Sequence, residues 1–263
     1  MSNLLSQQAR DKTHETPLLF VHGQWFGPWC WEENYFRYFN DKGFDTYAVN
    51  LRGYSEKNRI RILTATMQDY VKTLADAVAQ FSSPPLLIGH GMGSNIILKY
   101  MSGNSDTLVG VCLLAPLPFN KIDLWNGDFH KQHKTLSSLI FRLGLGRLLN
   151  KYELGRKAMF SDGLTKVERR HHPYYLSQLQ NESPRVIRDI FNQEININTH
   201  STPMNVIGGL KDSLITSDVV RNVANTIGVE PIFVDVAHAM MLDVTWYKTS
   251  RTINNWIDTF GVA

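Results

Sequence analysis

The segment Ile88-Gly89-His90-Gly91-Met92-Gly93-Ser94 joins a short apolar run to a helical pattern through three glycines. A sharp strand-to-helix turn of this kind is where a G-x-S-x-G elbow lifts a serine hydroxyl above the end of a sheet. The central position here is Gly91, which has no atom able to attack a carbonyl carbon. Ser94 stands three residues into the following helix, so its Cβ should point away from the turn, and a packed small residue is expected there. Cys112 falls mid-strand in an apolar run and is expected in the core. An elbow apex is strained by about 1–3 kcal/mol for a residue with a side chain, and glycine tolerates the same dihedrals. Gly91 also vacates the volume of a hydroxymethyl group, a gap that could hold a water or admit a substrate oxygen.

Other constellations read as structural. His130-x-x-His133 and His171-His172 have no third ligand placed by spacing, so solvated histidines are expected and no metal site. Gly144-x-Gly146 follows no strand, which leaves nucleotide binding unsupported. Cys30 and Cys112 cannot make a disulfide framework, and their spacing suggests no metal site. No cofactor is implied.

The elements that must position the elbow alternate. Leu18–Val21 is a continuous apolar run after Pro17, as a buried parallel strand should be. Trp31 to Phe39 reads as a helix stopped at Gly43, and Asp45 to Val49 as a strand. Met67, Tyr70, Val71, Leu74, Ala77, Val78 and Phe81 recur at steps of three and four, an amphipathic helix broken by Ser82-Ser83-Pro84-Pro85. Leu86–Ile88 is a strand, Ile96 to Met101 a helix and Leu108 to Leu114 a strand. Beyond Pro203 the rhythm returns, with strands at Met204–Ile207 and Ile232–Val234 and a helix at Val219–Ile227. A tail helix carries Trp246, Ile253, Trp256, Ile257 and Phe260. Repeated βα alternation implies an α/β fold, a doubly wound, mostly parallel sheet with helices on both faces. Between residues 118 and 200 the alternation stops and the pattern is helical. The domain reading is a core of residues 1–117 and 201–263 with a helical cap inserted at 118–200. Leu136 to Leu149, apolar with Arg142 and Arg147 interspersed, could touch a membrane; a lid helix over a hydrophobic pocket is the more economical account.

At 263 residues the chain suits one large α/β unit with an inserted subdomain. With 43% hydrophobic and 19% charged residues it has material for a sizeable core, which argues against disorder. A net charge of +3 is too small to point to nucleic acid. Residues 118–200 hold 13 Lys and Arg against 8 Asp and Glu, a local +5 that leaves −2 elsewhere. No apolar run approaches a membrane span, and Met1 to Pro17 lacks the apolar stretch of a secretory signal, so a cytoplasmic protein is the expectation.

Several motifs in order carry a resemblance. They are Val21-His22-Gly23-Gln24-Trp25 after the first strand, Leu51-Arg52-Gly53 after the second, and the Gly89–Gly93 turn. Gly208-Gly209-Leu210-Lys211-Asp212 and Ala237-His238-Ala239-Met240-Met241-Leu242 follow. From Pro17 onward the chain resembles the α/β-hydrolase superfamily, especially its small capped esterase and lysophospholipase-like members. The resemblance implies a triad order of serine, acid, histidine, which puts the acid on Asp212, the histidine on His238 and the missing nucleophile at Gly91. It implies oxyanion donors at the backbone N–H groups of Gln24 and Met92, with Trp25 and His90 near the substrate pocket. Asp235, three residues before His238, is the fallback acid. The aromatic group Trp25, Phe26, Trp29 and Trp31 should pack the first helix.

Three readings follow. In the first, a His238–Asp212 dyad facing an oxyanion hole acts as a general base on a carbonyl-containing, largely apolar small molecule, as a lyase, isomerase or cyclase or by activating water. In the second, the chain is a serine esterase or thioesterase inactivated by Ser-to-Gly exchange. In the third, it is a non-catalytic binding protein that kept the pocket; retention of Asp212, His238 and both oxyanion positions weighs against that.

Overall fold

The computed structural model describes residues 4–51, 60–104, 108–119, 127–192 and 202–259. Seven strands form one sheet in the order β1-β3-β2-β4-β5-β6-β7. They are β1 (Leu4–Gln7), β2 (Leu18–Val21), β3 (Thr46–Val49), β4 (Leu86–His90), β5 (Gly110–Leu114), β6 (Met204–Gly209) and β7 (Pro231–Val234). All neighbours run parallel except β1, which pairs antiparallel with β3. Every residue of β2, β4 and β5 is buried, which is why these strands read as unbroken apolar runs and not as alternation.

The order of the sheet places the site. The chain leaves β2 for β3 on one side and returns to β4 on the other, so β2 and β4 flank a topological switch point, where crevices open beyond the carboxyl ends of strands. Val21 pairs with Gly89 across β2 and β4, so the His22–Trp25 loop and the Gly91 turn emerge side by side. Helix α5 (Met92–Asn104) starts at that turn, following α1 (Trp29–Trp31), α2 (Arg37–Asn40), α3 (Ile60–Thr64) and α4 (Met67–Val78). Close approach requires a glycine at 93, where a Cβ would collide with the Val21 carbonyl. At the start of α4 the Thr66 hydroxyl accepts the Asp69 N–H while Asp69 accepts the Thr66 N–H, a capping box that fixes where the amphipathic run begins.

Between β5 and β6 the described elements are all helical. They are α6 (Asp128–Gln132), α7 (Lys134–Leu143), a 3-10 turn (Gly146–Asn150), α8 (Tyr152–Met159), α9 (His172–Ser177) and α10 (Pro184–Ile190). They are tied to the rest by polar contacts. Tyr70 Oη donates to Glu182 at 2.7 Å, Tyr175 Oη donates to Glu33 at 2.6 Å, and Gln180 N–H donates to the Trp25 carbonyl at 2.8 Å. Helices α11 (Ser217–Thr226) and α12 (Trp246–Asp258) complete the fold. No helix among the described residues is long and apolar enough to cross a membrane.

Several expectations are corrected. The polar N-terminal stretch contains β1, an edge strand half-buried at Leu4 and Leu5 and exposed at Ser6 and Gln7. The helix expected at Trp31–Phe39 runs from Trp29 to Asn40 and is interrupted by a π-helical turn at Glu32–Phe36. That turn carries Glu33, and its Asn34 donates to the Met241 carbonyl. Phe81 lies beyond the end of α4. Helix α3 was not expected. Arg52, Gly53 and Phe260 lie outside the described residues.

Candidate active site

The loop after β6 and the loop after β7 bring Asp212 and His238 together. His238 Nδ1 lies 2.8 Å from Asp212 Oδ2, with both side chains buried. A carboxylate only accepts, so a proton sits on Nδ1, and in the neutral ring Nε2 presents its lone pair. Asp212 Oδ1 accepts the N–H groups of Leu214 and Ile215, each at 2.8 Å, so the carboxylate is locked before it meets the imidazole. His238 Nε2 is buried with no hydrogen-bond partner among the described residues. The fallback acid is elsewhere: Asp235 is half-exposed and sits 2.9 Å from both Lys248 and Lys211, whose hydrogen bonds hold its carboxyl below the usual range.

His90, next to the turn apex, fixes the relation between the elbow and the His238 loop. Its Nε2 lies 2.9 Å from the His238 carbonyl, so Nε2 carries the proton, and the two rings lie 4.8 Å apart. Burial, then the neighbouring His238, hold the His90 pKa well below the ordinary value, so it is a neutral donor. His22, the residue before Gly23, is also neutral; burial lowers it to about 4 and its Nδ1 is 2.9 Å from the Gly23 carbonyl.

Two features of this loop system are not visible from spacing. Asp243 is fully buried and binds the Ala237 N–H at 3.1 Å, the Ser161 hydroxyl at 2.7 Å and the Thr245 hydroxyl at 3.2 Å. Its other oxygen accepts the Ser161 N–H at 3.2 Å. It therefore fastens the segment that carries His238 to the helices between β5 and β6. Its only sequence signal is a carboxylate five residues after that histidine. The Ala239 N–H adds a second tie to the Met159 carbonyl at 2.9 Å.

The elbow itself corrects two expectations. Gly91 has φ +51, the left-handed region that favours glycine. The volume it vacates is not open: a Cβ placed there would meet Gln24 Oε1 at 2.8 Å. The Met92 N–H, expected as a vacant oxyanion donor, donates to that same Oε1 at 3.0 Å. The Gln24 carboxamide thus stands where the elbow resemblance implied a substrate oxygen, and its Nε2 is buried with no hydrogen-bond partner among the described residues.

Trp25 has φ +71, one of two described non-glycine residues with positive φ, and is fully buried with its ring edge-on to Phe141 at 4.8 Å. Trp25 and His90 are packed inside, and neither lines the cavity of about 530 Å³ that borders Asp212 between Phe129, Phe160 and Leu210. With Gln24 2% and His238 1% exposed, the site is closed as it stands.

Ser94 Oγ donates to the Gly89 carbonyl at 2.8 Å and faces away from the apex. Cys112 is buried in β5, and burial pushes its thiol well up. The histidine pairs are not all solvated as expected: His130 packs against Phe141 and His172 stacks on Phe160 at 3.8 Å, both 1% exposed. No cluster of three His, Cys, Asp or Glu suited to a metal ion occurs among the described residues.

Solved structures with this fold share little sequence with it. A monoglyceride lipase from Saccharomyces cerevisiae, a soluble variant holding a substrate analogue, superposes with a TM-score of 0.74 at 16% identity, over 99% of this chain and 92% of its own. An esterase from Rhodococcus sp. ECU1013 gives 0.70 at 15% identity, over 99% and 100%. A thermophilic esterase from Thermogutta terrifontis gives 0.69 at 18%, over 97% and 93%. A comparison with curated proteins finds no match. The profile of the alpha/beta hydrolase family matches residues 18–244, from β2 through the His238 loop, and the chain belongs to that family.

Proposed function

We propose that the protein is a cofactor-independent enzyme in which the His238–Asp212 dyad acts as a general base, without a covalent intermediate, on a largely apolar molecule bearing a carbonyl. The observation that carries this reading is the 2.8 Å Nδ1–Oδ2 bond beside a turn apex that holds no nucleophile. It leaves the Nε2 lone pair as the basic atom of the site. In the chemical step Nε2 takes a proton from a C–H next to the carbonyl, and the electron pair moves onto the carbonyl oxygen as an enolate. Asp212 stabilises the imidazolium so formed. The proton returns to a different atom, giving isomerisation, or the enolate expels a leaving group, giving elimination. Water in place of the C–H acid would give hydrolysis by the same base. Residues 118–200 act as the cap over a core of 1–117 and 201–263, a division supported by the Trp25–Gln180 and Asp243–Ser161 contacts.

The test is a paired assay of the protein, His238→Ala and Gly91→Ser on short and long p-nitrophenyl esters, acyl thioesters and enolisable ketones, the last by exchange of the α-hydrogen for deuterium. His238-dependent exchange or hydrolysis by the glycine protein supports the reading. Turnover confined to Gly91→Ser, with a burst and labelling by a fluorophosphonate, would instead identify a serine hydrolase scaffold without its nucleophile.

A further inference from the structure

We infer that the side chain of Gln24, and not the Met92 N–H, is the group that binds the acceptor oxygen of the ligand in this site. The Met92 N–H can only donate, so the carboxamide atom 3.0 Å from it is Oε1 and the orientation of the amide is fixed. That leaves Nε2, with two hydrogens, directed elsewhere. It lies 3.8 Å from the position of a Gly91 Cβ, at the apex of the turn, in a side chain that is 2% exposed. It has no hydrogen-bond partner among the described residues, and neither has His238 Nε2. A buried donor without a partner is costly, and so is a buried acceptor. Both atoms stand on loops held to the same elbow, Gln24 by the Met92 N–H and the His238 loop by His90. One calls for an acceptor and the other for a donor.

The ligand class follows from that pair. It carries a carbonyl-type oxygen to receive the Gln24 N–H and, within a few bonds, an acidic proton for His238 Nε2. Enolisable ketones, β-hydroxycarbonyl compounds and hydroxamic acids have this arrangement; a simple ester with no acidic proton has half of it. In the reaction the developing enolate oxygen would be met by a side-chain amide held rigid by the elbow backbone. The donor of the elbow is thereby moved outward by the length of one carboxamide. Gly91 is what makes room, because any side chain at 91 would meet Oε1. This inference rests on the reading of His238 as the base.

The experiment titrates the full-length protein with acetohydroxamic acid, which offers both groups, and with N-methoxy-N-methylacetamide, which keeps the carbonyl oxygen and has neither the hydroxyl nor the N–H. Binding is followed by ¹⁵N NMR of the Gln24 side-chain amide and the His238 ring. The expected result is that both signals shift on one isotherm. Gln24→Ala and the near-isosteric Gln24→Met should each weaken binding at least tenfold while the His238–Asp212 proton signal stays in place, showing the fold intact. The N,O-dimethyl compound should leave His238 unshifted and still shift Gln24. An unshifted Gln24 amide, unchanged affinity in both variants, or no binding up to the solubility limit would overturn the inference. A shift at His238 without one at Gln24 leaves the base reading standing alone. A shift at Gln24 without one at His238 removes the base reading and leaves the donor.

Discussion

Gln24 and Gly91 exclude one another's side chains: Gln24 Oε1 occupies the point 2.8 Å from where a Cβ on Gly91 would stand, and the Met92 N–H holds it there. The loop after β2 and the elbow after β4 are therefore one unit, and a change at one has to be read with the other. A serine at 91 adds the strain of a left-handed residue, about 1–2 kcal/mol, and displaces the carboxamide.

This coupling gives a double-mutant prediction. Gly91→Ser alone should react slowly with a fluorophosphonate, because the displaced Gln24 still crowds the hole and competes for the Met92 N–H. Gln24→Ala combined with Gly91→Ser should label at least tenfold faster than Gly91→Ser, an excess over the effect of either change alone. Equal labelling rates for the single and double variants would show that Gln24 leaves the elbow freely.

Asp212→Asn keeps acceptors for the Leu214 and Ile215 N–H groups, so the turn should hold, but the amide opposite His238 Nδ1 can no longer accept its proton unless it flips. The imidazole should switch to the Nε2–H tautomer and lose its base. Long-range ¹⁵N correlation should show the exchange of protonated nitrogen, and base-dependent turnover should fall by on the order of 10²–10⁴. An unchanged tautomer would mean that Asp212 does not set it. Asp212→Ala should in addition lower stability, because two backbone donors lose their acceptor.

Much of the scaffold is legible in the sequence because buried parallel strands and an amphipathic helix leave strong marks. Leu18–Val21, Leu86–Ile88 and the Met67–Val78 face are examples. Helical geometry alone turned Ser94 away from the apex, and its hydroxyl is spent on the Gly89 carbonyl. What escaped depends on side chains meeting across long separations. β1 has only two apolar residues, since an edge strand buries part of one face. His130 and His172 read as solvated because their cover, Phe141 and Phe160, comes from other segments of the chain. The occupied elbow was illegible for the same reason: Gln24 and Met92 are 68 residues apart, and the resemblance concerned only the backbone of Gln24.

Asp243 is where the His238 loop is most vulnerable. Asp243→Ala would strip acceptors from the Ala237 and Ser161 N–H groups and from two hydroxyls in a fully buried place. A loss of about 3 kcal/mol is expected, which for a chain of this size lowers Tm by about 6–12 °C. Asp243→Asn, isosteric and able to keep part of the network, should lose less than half as much. Thermal unfolding of the two variants checks this, and a shift below about 2 °C for Asp243→Ala would show that the network is dispensable.

The buried imidazoles set a pH dependence of stability with a definite sign. Burial, the largest cause in each case, lowers His22, His130 and His172 to about 4; the Gly23 carbonyl, Asp212 and Asp243 respectively oppose it without prevailing. In the unfolded chain the same groups titrate near 6.5. Between those values the unfolded state binds more protons than the folded one, so stability rises with pH through this window and is lost as pH falls. The contribution is fully present above about 6.5 and falls by up to about 1.4 kcal/mol per pH unit for each group until about pH 4. Against a total stability of about 5–15 kcal/mol, unfolding should come on within about two to three pH units below neutrality. Urea unfolding at a series of pH values from 7.5 downward should show this steep loss. His172→Phe, which keeps a ring against Phe160, should make the slope shallower by one imidazole. A midpoint that stays flat from pH 7 to pH 5 would mean that these rings take up protons in the folded state as readily as in the unfolded one.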